Sequence, residues 1–279
     1  MVKVGTKPEG VAIDPQTGVA AVAIAEGVAL VDAATGARRS LVTLPAPARH
    51  LSLAAPGGPF LVPMETADAL AEVSPDGGAP RITKTGARPH DASAAADGTI
   101  YVGDEFGSAV SVLRDGRLVD TVGVDVQPGG VAVVGDSVAV VSVRAYTLDL
   151  IDRRTLRRVG GTNAGYGPSH VVADARGHVY VADTRGGGIS VFETLPRLRF
   201  IARVNLPGSP YGLAVDEARD RLWVTLTARN QLAEVSLATN QVRRTLPTVR
   251  QPNSVAADPR TGRVLVASRS DGTLQLINP

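Results

Sequence analysis

Short apolar runs alternate with polar turns along the whole chain, and residues 166–192 show the pattern most clearly. Apolar runs lie at 171–173, 179–182 and 189–192, and the stretches between them are rich in Gly, Asp and Arg. Runs of β-branched and aromatic residues bounded by such turns are typical of strands joined as hairpins. The pattern therefore predicts a meander of short antiparallel strands.

The same unit recurs along the chain at a nearly constant interval. A proline opens each copy except the second, and successive markers are 39 to 42 residues apart: Pro8, Ala48, Pro89, Pro128, Pro168, Pro210 and Pro252. A period near 40 residues with room for four short strands, here called a to d, is typical of a β-propeller blade. In the sixth copy the four strands are predicted at 212–216, 221–226, 231–236 and 241–246.

The seventh copy holds only three predicted strands, and its fourth is predicted at the other end of the chain. Residues 2–8 resemble residues 203–210, which form the last strand of one copy and its exit into the next. We therefore predict an all-β, seven-bladed propeller of four-stranded antiparallel blades. Residues 1–7 complete the last blade and close the ring, which removes the open sheet edges. The tiling places residues 1–279 in one domain.

Three segments carry a resemblance to a known group of proteins. These are VYVADT at 179–184 followed by ISVF at 189–192, LWVTL at 222–226 with NQLAEVSLAT at 230–239, and QPNSVAAD at 251–258. They resemble the YVTN/NHL-type propellers, which include the bacterial YncE-like proteins. The resemblance implies the propeller fold and a binding or scaffold role outside the cytoplasm, but propellers host many unrelated activities.

Composition narrows the classes of partner. The net charge is only +2, so electrostatic capture of nucleic acid or of an anionic membrane is not expected. Aromatic residues make up 4% and the arginines are dispersed, which argues against a single-stranded nucleic-acid groove. The chain has no cysteine, which excludes disulfides, thiolate metal sites and thiol nucleophiles. No apolar run approaches the roughly 18 residues needed to span a bilayer.

No signal peptide is visible at the start of the sequence. Because of the family resemblance, we favour an extracytoplasmic location, secreted or periplasmic, over a cytoplasmic one. In that case the signal peptide has been removed. We expect a monomer.

The most informative polar residues follow the opening proline of each copy. In a propeller, strand a enters the central channel there, and the d–a connections share one face with the b–c loops. Three of the four histidines occupy this two-residue window, together with other polar residues that include Glu9, Asp91 and Asn253. Histidine and carboxylate groups suit Zn, Mn, Fe or Ni, so the window predicts candidate ligands of one divalent metal ion: Glu9, His50, His90, Asp91, His170 and Asn253.

Two other interpretations of this window remain open. The three histidines are candidate catalytic acid–base groups without a metal, and the whole set is equally compatible with a polar lining that holds water. The fourth histidine, His178, follows an a–b turn on the opposite face and is predicted to be a solvated residue at the start of a strand.

The b–c loops predict an outer ring of charge on the same face. Acidic loops fall in blades 1 to 3 and arginine-bearing loops in blades 4 to 7. Arginine forks suit carboxylate or phosphate groups, so the ring predicts a site for a small anionic or zwitterionic ligand. The alternative is a set of rim charges, each of little energetic consequence. With a tyrosine of the inner window, the candidate ligand-binding residues are Glu65, Glu105, Arg144, Tyr146, Arg185, Tyr211, Arg229 and Arg269. Asp183 is expected to accept backbone hydrogen bonds in its own loop.

Two classes of function follow. The first is a propeller that binds a small molecule or a protein at the channel mouth. The second is a metal-dependent hydrolase or lyase. Glu9 in Pro-Glu-Gly and Asn253 in Pro-Asn-Ser are similar to motif positions of the senescence-marker/gluconolactonase family, which has six blades and further ligands that this sequence does not match. Virginiamycin B lyase-like enzymes are similar in architecture, with His, Glu and magnesium at a comparable mouth, but their residues do not map onto this chain.

Overall fold

The chain folds into a ring of seven β-sheets. The computed structural model describes residues 1–279 and contains 28 strands in seven four-stranded sheets. Within each sheet neighbouring strands are antiparallel, and the innermost strands of adjacent sheets contact one another around the ring. The predicted seven-bladed β-propeller is confirmed. The structure contains no helix with the length and hydrophobicity needed to cross a bilayer.

The strand bounds, blade by blade, are as follows. Blade 7 takes β1 (Val2–Lys3) from the start of the chain, and blade 1 contains β2 (Gly10–Asp14), β3 (Val19–Ile24), β4 (Gly27–Asp32) and β5 (Arg38–Thr43). Blade 2 contains β6 (Ser52–Leu53), β7 (Phe60–Met64), β8 (Ala69–Val73) and β9 (Arg81–Lys84). Blade 3 contains β10 (Pro89–Ala94), β11 (Ile100–Asp104), β12 (Ala109–Arg114) and β13 (Arg117–Gly123). Blade 4 contains β14 (Pro128–Val134), β15 (Ser137–Ser142), β16 (Thr147–Asp152) and β17 (Arg157–Asn163).

The remaining strands follow in the same order. Blade 5 contains β18 (Pro168–Ala173), β19 (His178–Asp183), β20 (Gly188–Glu193) and β21 (Arg199–Asn205). Blade 6 contains β22 (Pro210–Asp216), β23 (Arg221–Leu226), β24 (Gln231–Ser236) and β25 (Val242–Pro247). Blade 7 contains β26 (Pro252–Ala257), β27 (Val264–Ser268) and β28 (Thr273–Ile277) beside β1. Two 3₁₀ helices, Glu65–Ala67 and Glu217–Arg219, lie between strands. In blade 6 the predicted strands differ from these by two residues at most.

The core lies between the blades rather than in the centre of the ring. The middle strands are buried on both faces because each sheet packs against two neighbours, and all six residues of β3 are buried. This explains why b and c strands are continuous apolar runs, whereas d strands such as β13 are largely exposed. The apolar clusters each join two adjacent sheets, as the cluster around Phe60 joins blades 1 and 2.

The ring closes through the two-residue strand β1. Val2 pairs with Leu274 and Lys3 with Thr273, and the N–H of Val4 donates to the carbonyl of Gly272 at 3.0 Å. The side chain of Val4 is buried in the apolar cluster between blades 7 and 1. The predicted closure by the N-terminal segment is confirmed.

Deleting residues 1–7 should lower the melting temperature by at least about 5 °C. The deletion removes the buried Val4 and leaves the edge of β28 unpaired, a loss of about 2 kcal/mol or more. Differential scanning calorimetry measures the change in melting temperature. Lys3→Ser is the matched control, because that side chain is exposed and its backbone pairing is retained. An unchanged melting curve for the deletion would contradict the closure.

Candidate functional site

A repeated backbone feature places the residues at the channel mouth. A non-glycine residue with left-handed φ stands immediately before the opening proline in five copies: Lys7, Arg88, Gln127, Ser209 and Gln251. The pairing of strands a and b then shifts register just after that proline, for example between Pro89 and Asp91 and between Pro168 and His170. Such bulges redirect side chains, so the window after the proline faces the mouth rather than following the strand alternation.

Three histidines from three blades meet at this mouth. His50 precedes β6, His90 lies in β10 and His170 lies in β18. Nδ1 of His50 is 3.3 Å from Nε2 of His170, and the ring centroids of His50 and His90 are 4.5 Å apart. His50 and His90 are buried. The ring geometry thus brings together residues that are 40 to 120 positions apart in the chain.

Tyr211 extends the histidine cluster across the mouth. Its ring centroid is 4.2 Å from that of His170, so four rings from blades 3, 2, 5 and 6 follow one another. Behind them lies the central channel, a cavity of about 420 Å³ lined mainly by alanine and valine of the innermost strands. His50 and His170 form part of its lining. The mouth therefore carries four polar rings, and most of the residues that line the channel behind it are hydrophobic.

Two carboxylates from the b–c loops hold the third histidine. Nδ1 of His90 is 2.8 Å from Oε1 of Glu65 and 3.3 Å from Oε2 of Glu105. The Arg49 guanidinium donates to Glu65 at 2.9 Å and to Glu9 at 3.0 Å. The inner window and the outer ring are therefore one connected hydrogen-bond network.

The network continues to both sides through residues that carry amide or guanidinium groups. Arg269 Nε lies 3.1 Å from Glu9 Oε1, across the junction of blades 7 and 1. Gln127 Nε2 donates to Glu105 Oε1 at 2.8 Å. Arg49 and Gln127 are site residues that were not predicted from the sequence. Arg49 could have been found, because it shares the two-residue window with His50, whereas no sequence signal marks Gln127.

The three histidines differ in charge. Burial disfavours the charged form of His90, but hydrogen bonds to Glu105 and Glu65 outweigh it and raise the pKa of His90 to about 9. Burial, followed by the positive charge of His90, holds the pKa of His50 well below its usual range. The same two causes lower the pKa of His170 to about 3. At neutral pH the cluster therefore pairs one charged imidazole with two neutral ones.

Two ring nitrogens in the cluster have no hydrogen-bond partner. Nε2 of His50 and Nδ1 of His170 are both buried and unpaired. Buried polar atoms are normally hydrogen-bonded, and an unpaired one costs about 1–3 kcal/mol. The cluster thus offers unused lone pairs or N–H groups at the head of the channel.

The other predicted metal ligands have different partners. Asp91 accepts the N–H of Val131 in blade 4 at 3.0 Å, and burial raises the pKa of Asp91 to about 6. Asn253 Nδ2 donates to the backbone carbonyl of Glu9 at 2.9 Å. The Glu9 carboxylate is bound by two arginines. These three residues join neighbouring blades and do not complete the histidine cluster.

The arginine side of the rim differs from the acidic side. Arg144, Arg185 and Arg229 lie in the b–c loops of blades 4, 5 and 6, are exposed, and form no ion pair. The Arg185 guanidinium lies over the ring of Tyr146, 5.6 Å from its centroid. Arg269, predicted with this group, is instead paired with Glu9. We call the three unpaired residues the arginine arc.

A second cavity opens on the same face between blades 1 and 2. It has a volume of about 310 Å³, and five of its eight lining residues are charged or carry a hydroxyl. The lining includes Lys7 and Thr66 together with three members of the network: Glu9, Arg49 and Glu65. The acidic side of the network therefore borders a cleft.

His178 and Asp183 have the structural positions expected from the sequence. His178 begins β19 beside the a–b turn, partly exposed, with Nδ1 3.2 Å from Asp174. Asp183 is fully buried and its Oδ1 accepts the N–H groups of Tyr166, Gly167 and Gly186 at 2.8 to 3.1 Å. The predicted role of Asp183 in its own loop is confirmed.

Comparisons with known proteins identify the fold of the chain but no family. No family model matches the chain, so the YVTN/NHL resemblance stays a prediction, and no curated protein matches it. Among solved structures, hydrazine synthase of Kuenenia stuttgartiensis is similar at 17% identity and a TM-score of 0.84, with 98% of this chain and 96% of that one covered.

Two other solved structures have the same architecture. The Cps50 (Swd1) β-propeller domain of Myceliophteria thermophila has 12% identity, a TM-score of 0.85 and coverage of 100% and 98%. Virginiamycin B lyase of Staphylococcus aureus has 13% identity, a TM-score of 0.79 and coverage of 95% and 93%. At these identities the likeness shows the shared fold alone.

Proposed function

We propose that this propeller binds a small molecule bearing a carboxylate or phosphate group at the channel mouth. The observation that carries the proposal is the arginine arc. Its three guanidinium groups stand in consecutive blades on the face of the mouth and have no carboxylate partner. Bidentate recognition of planar or tetrahedral anions is the chemistry that arginine performs best.

The charge balance of the mouth supports an anionic ligand. On the acidic side, three carboxylates (Glu9, Glu65 and Glu105) face three cations, namely Arg49, Arg269 and the charged His90. These six groups therefore balance one another in charge. The three arginines of the arc have no carboxylate within ion-pair distance, and a local concentration of one sign attracts ligands of the other.

A binding role is preferred to a hydrolase or lyase activity. The chain is 13% identical to virginiamycin B lyase, and this similarity supports a shared fold only. The contacts that Glu9 and Asn253 make join blades to one another, so the two motif positions that suggested a lactonase take part in structural interactions.

Removing the arginine arc should weaken binding of the anion. A thermal-shift screen of small carboxylates and phosphate esters first identifies a ligand, and calorimetry measures its affinity. Arg144→Gln, Arg185→Gln and Arg229→Gln combined should weaken binding at least about tenfold, because each charge-assisted hydrogen bond contributes about 1.5–3 kcal/mol.

Arg154→Gln is the matched control. Arg154 is also exposed and unpaired, but it lies in the c–d turn of blade 4 on the opposite face. The control variant should bind the ligand as the wild type does. Equal affinity of the triple variant and the wild type for every ligand found would contradict the proposed site.

A further inference from the structure

The histidine cluster has the spacing of ligands around a single ion. One ring nitrogen from each of His50, His90 and His170 can be chosen so that all three lie within 4.8 Å of one another. The distance between His50 Nδ1 and His170 Nε2 is 3.3 Å. Two nitrogens bound at 2.0–2.1 Å to a tetrahedral ion are about 3.3–3.4 Å apart, so this pair already has the separation of neighbouring ligands.

A single weak contact joins the two closest imidazoles. It runs between Nδ1 of His50 and Nε2 of His170, and the opposite nitrogen of each ring is buried without a partner. Two neutral imidazoles share only one N–H···N bond in this arrangement. An ion between the rings accepts a lone pair from each, which replaces one weak contact by two metal–ligand bonds.

The third histidine is oriented as metal ligands usually are. Glu65 and Glu105 both lie within hydrogen-bond distance of Nδ1 of His90, which places the Nδ1 proton on the carboxylate side. Nε2 is then the nitrogen left to bind an ion. A carboxylate that fixes the second ring nitrogen is the common outer partner of a metal-bound histidine. On binding, the ion takes the place of the Nε2 proton.

We propose that His50, His90 and His170 bind one divalent transition-metal ion of the zinc class at the head of the channel. Three imidazole nitrogens suit Zn, Ni, Co or Cu rather than Mg or Ca, which prefer oxygen ligands. Three protein ligands leave at least one coordination position for water or an anion.

A neighbouring group of possible ligands is less suited to hold the ion. Glu65, His90 and Glu105 also place ligand atoms within 4.8 Å of one another. Their oxygens, however, are already bound by Arg49 and Gln127, and an ion there would have to displace these contacts. In the histidine cluster the ion has to displace only the contact between the imidazoles of His50 and His170.

Cobalt and zinc titrations of untagged protein test the proposal. The chain has no cysteine and only four histidines, so background binding is small. Chelator-treated protein should bind one Co²⁺ per chain with visible ligand-field bands, and Zn²⁺ should displace it with a Kd of about 1 μM or lower. Each of His50→Gln, His90→Gln and His170→Gln should weaken Co²⁺ binding at least about tenfold.

His178→Gln is the matched control, since His178 lies on the opposite face beside Asp174, and it should bind Co²⁺ as the wild type does. X-ray absorption of the Zn²⁺-loaded wild type should count three imidazoles even if a variant does not fold. Fewer than three imidazoles, or no Zn²⁺ or Co²⁺ binding at millimolar concentration, would overturn the proposal. Because these titrations contain no organic ligand, their failure leaves the proposed binding at the arginine arc standing.

Discussion

Asp183→Ala should lower the free energy of unfolding by about 3–5 kcal/mol. The carboxylate is fully buried, accepts three backbone N–H groups from two loops, and lies 3.0 Å from the guanidinium of Arg203. Alanine leaves the buried N–H of Gly167 and the partly buried N–H groups of Tyr166 and Gly186 without an acceptor, and the arginine without its partner. Equilibrium unfolding in urea, followed by circular dichroism, measures the loss.

Asp152→Ala is the comparison for this variant. Asp152 also accepts hydrogen bonds in a turn, from the N–H and hydroxyl of Thr155, but water can replace them at this exposed turn. The urea midpoint of Asp152→Ala should therefore change much less. Equal losses for the two variants would show that burial of Asp183 is not the cause.

Trp223→Ala should cost about 3–5 kcal/mol of the free energy of unfolding. Trp223 is completely buried in β23, in the apolar cluster between blades 6 and 7, and alanine leaves a large cavity there. Trp223→Phe separates the effect of the side-chain volume from the effect of the indole N–H. Nε1 of Trp223 has no hydrogen-bond partner, so phenylalanine removes an unpaired donor along with part of the volume.

The phenylalanine variant should therefore lose less than about 1.5 kcal/mol. The same urea unfolding curves measure both variants. A loss for Trp223→Phe as large as that for Trp223→Ala would mean that the indole nitrogen has a partner, such as an ordered water, that the protein atoms do not provide.

The fold could be predicted because its information is local and repeated. Each blade carries its own apolar runs and turn residues, and seven copies at one period define the ring without any long-range contact being known. The closure by β1 followed from the likeness between residues 2–8 and residues 203–210. Asp183 was also predictable, since the donors that it binds lie in adjacent turns of one blade.

The partners of the mouth residues could not be predicted in the same way. Equivalent positions in a ring had to come close, which is why His50, His90 and His170 were grouped from the sequence alone. The hydrogen-bond partner of each side chain depends on the length of that side chain and on its orientation towards the neighbouring blade. Thus Arg269 crosses to Glu9 rather than joining the arginine arc, and Asn253 binds a backbone carbonyl.

The closure by β1 has a consequence for how the protein is made. The outer strand of blade 7 leaves the ribosome before blade 1, and the other three strands of blade 7 leave after blade 6. Until then the apolar face of blade 1 that packs on blade 7 has nothing to cover it. The nascent chain therefore depends on the last blade for its protection against aggregation. A circular permutant that starts at blade 1 and carries residues 1–7 after blade 7 would complete each blade in order of synthesis.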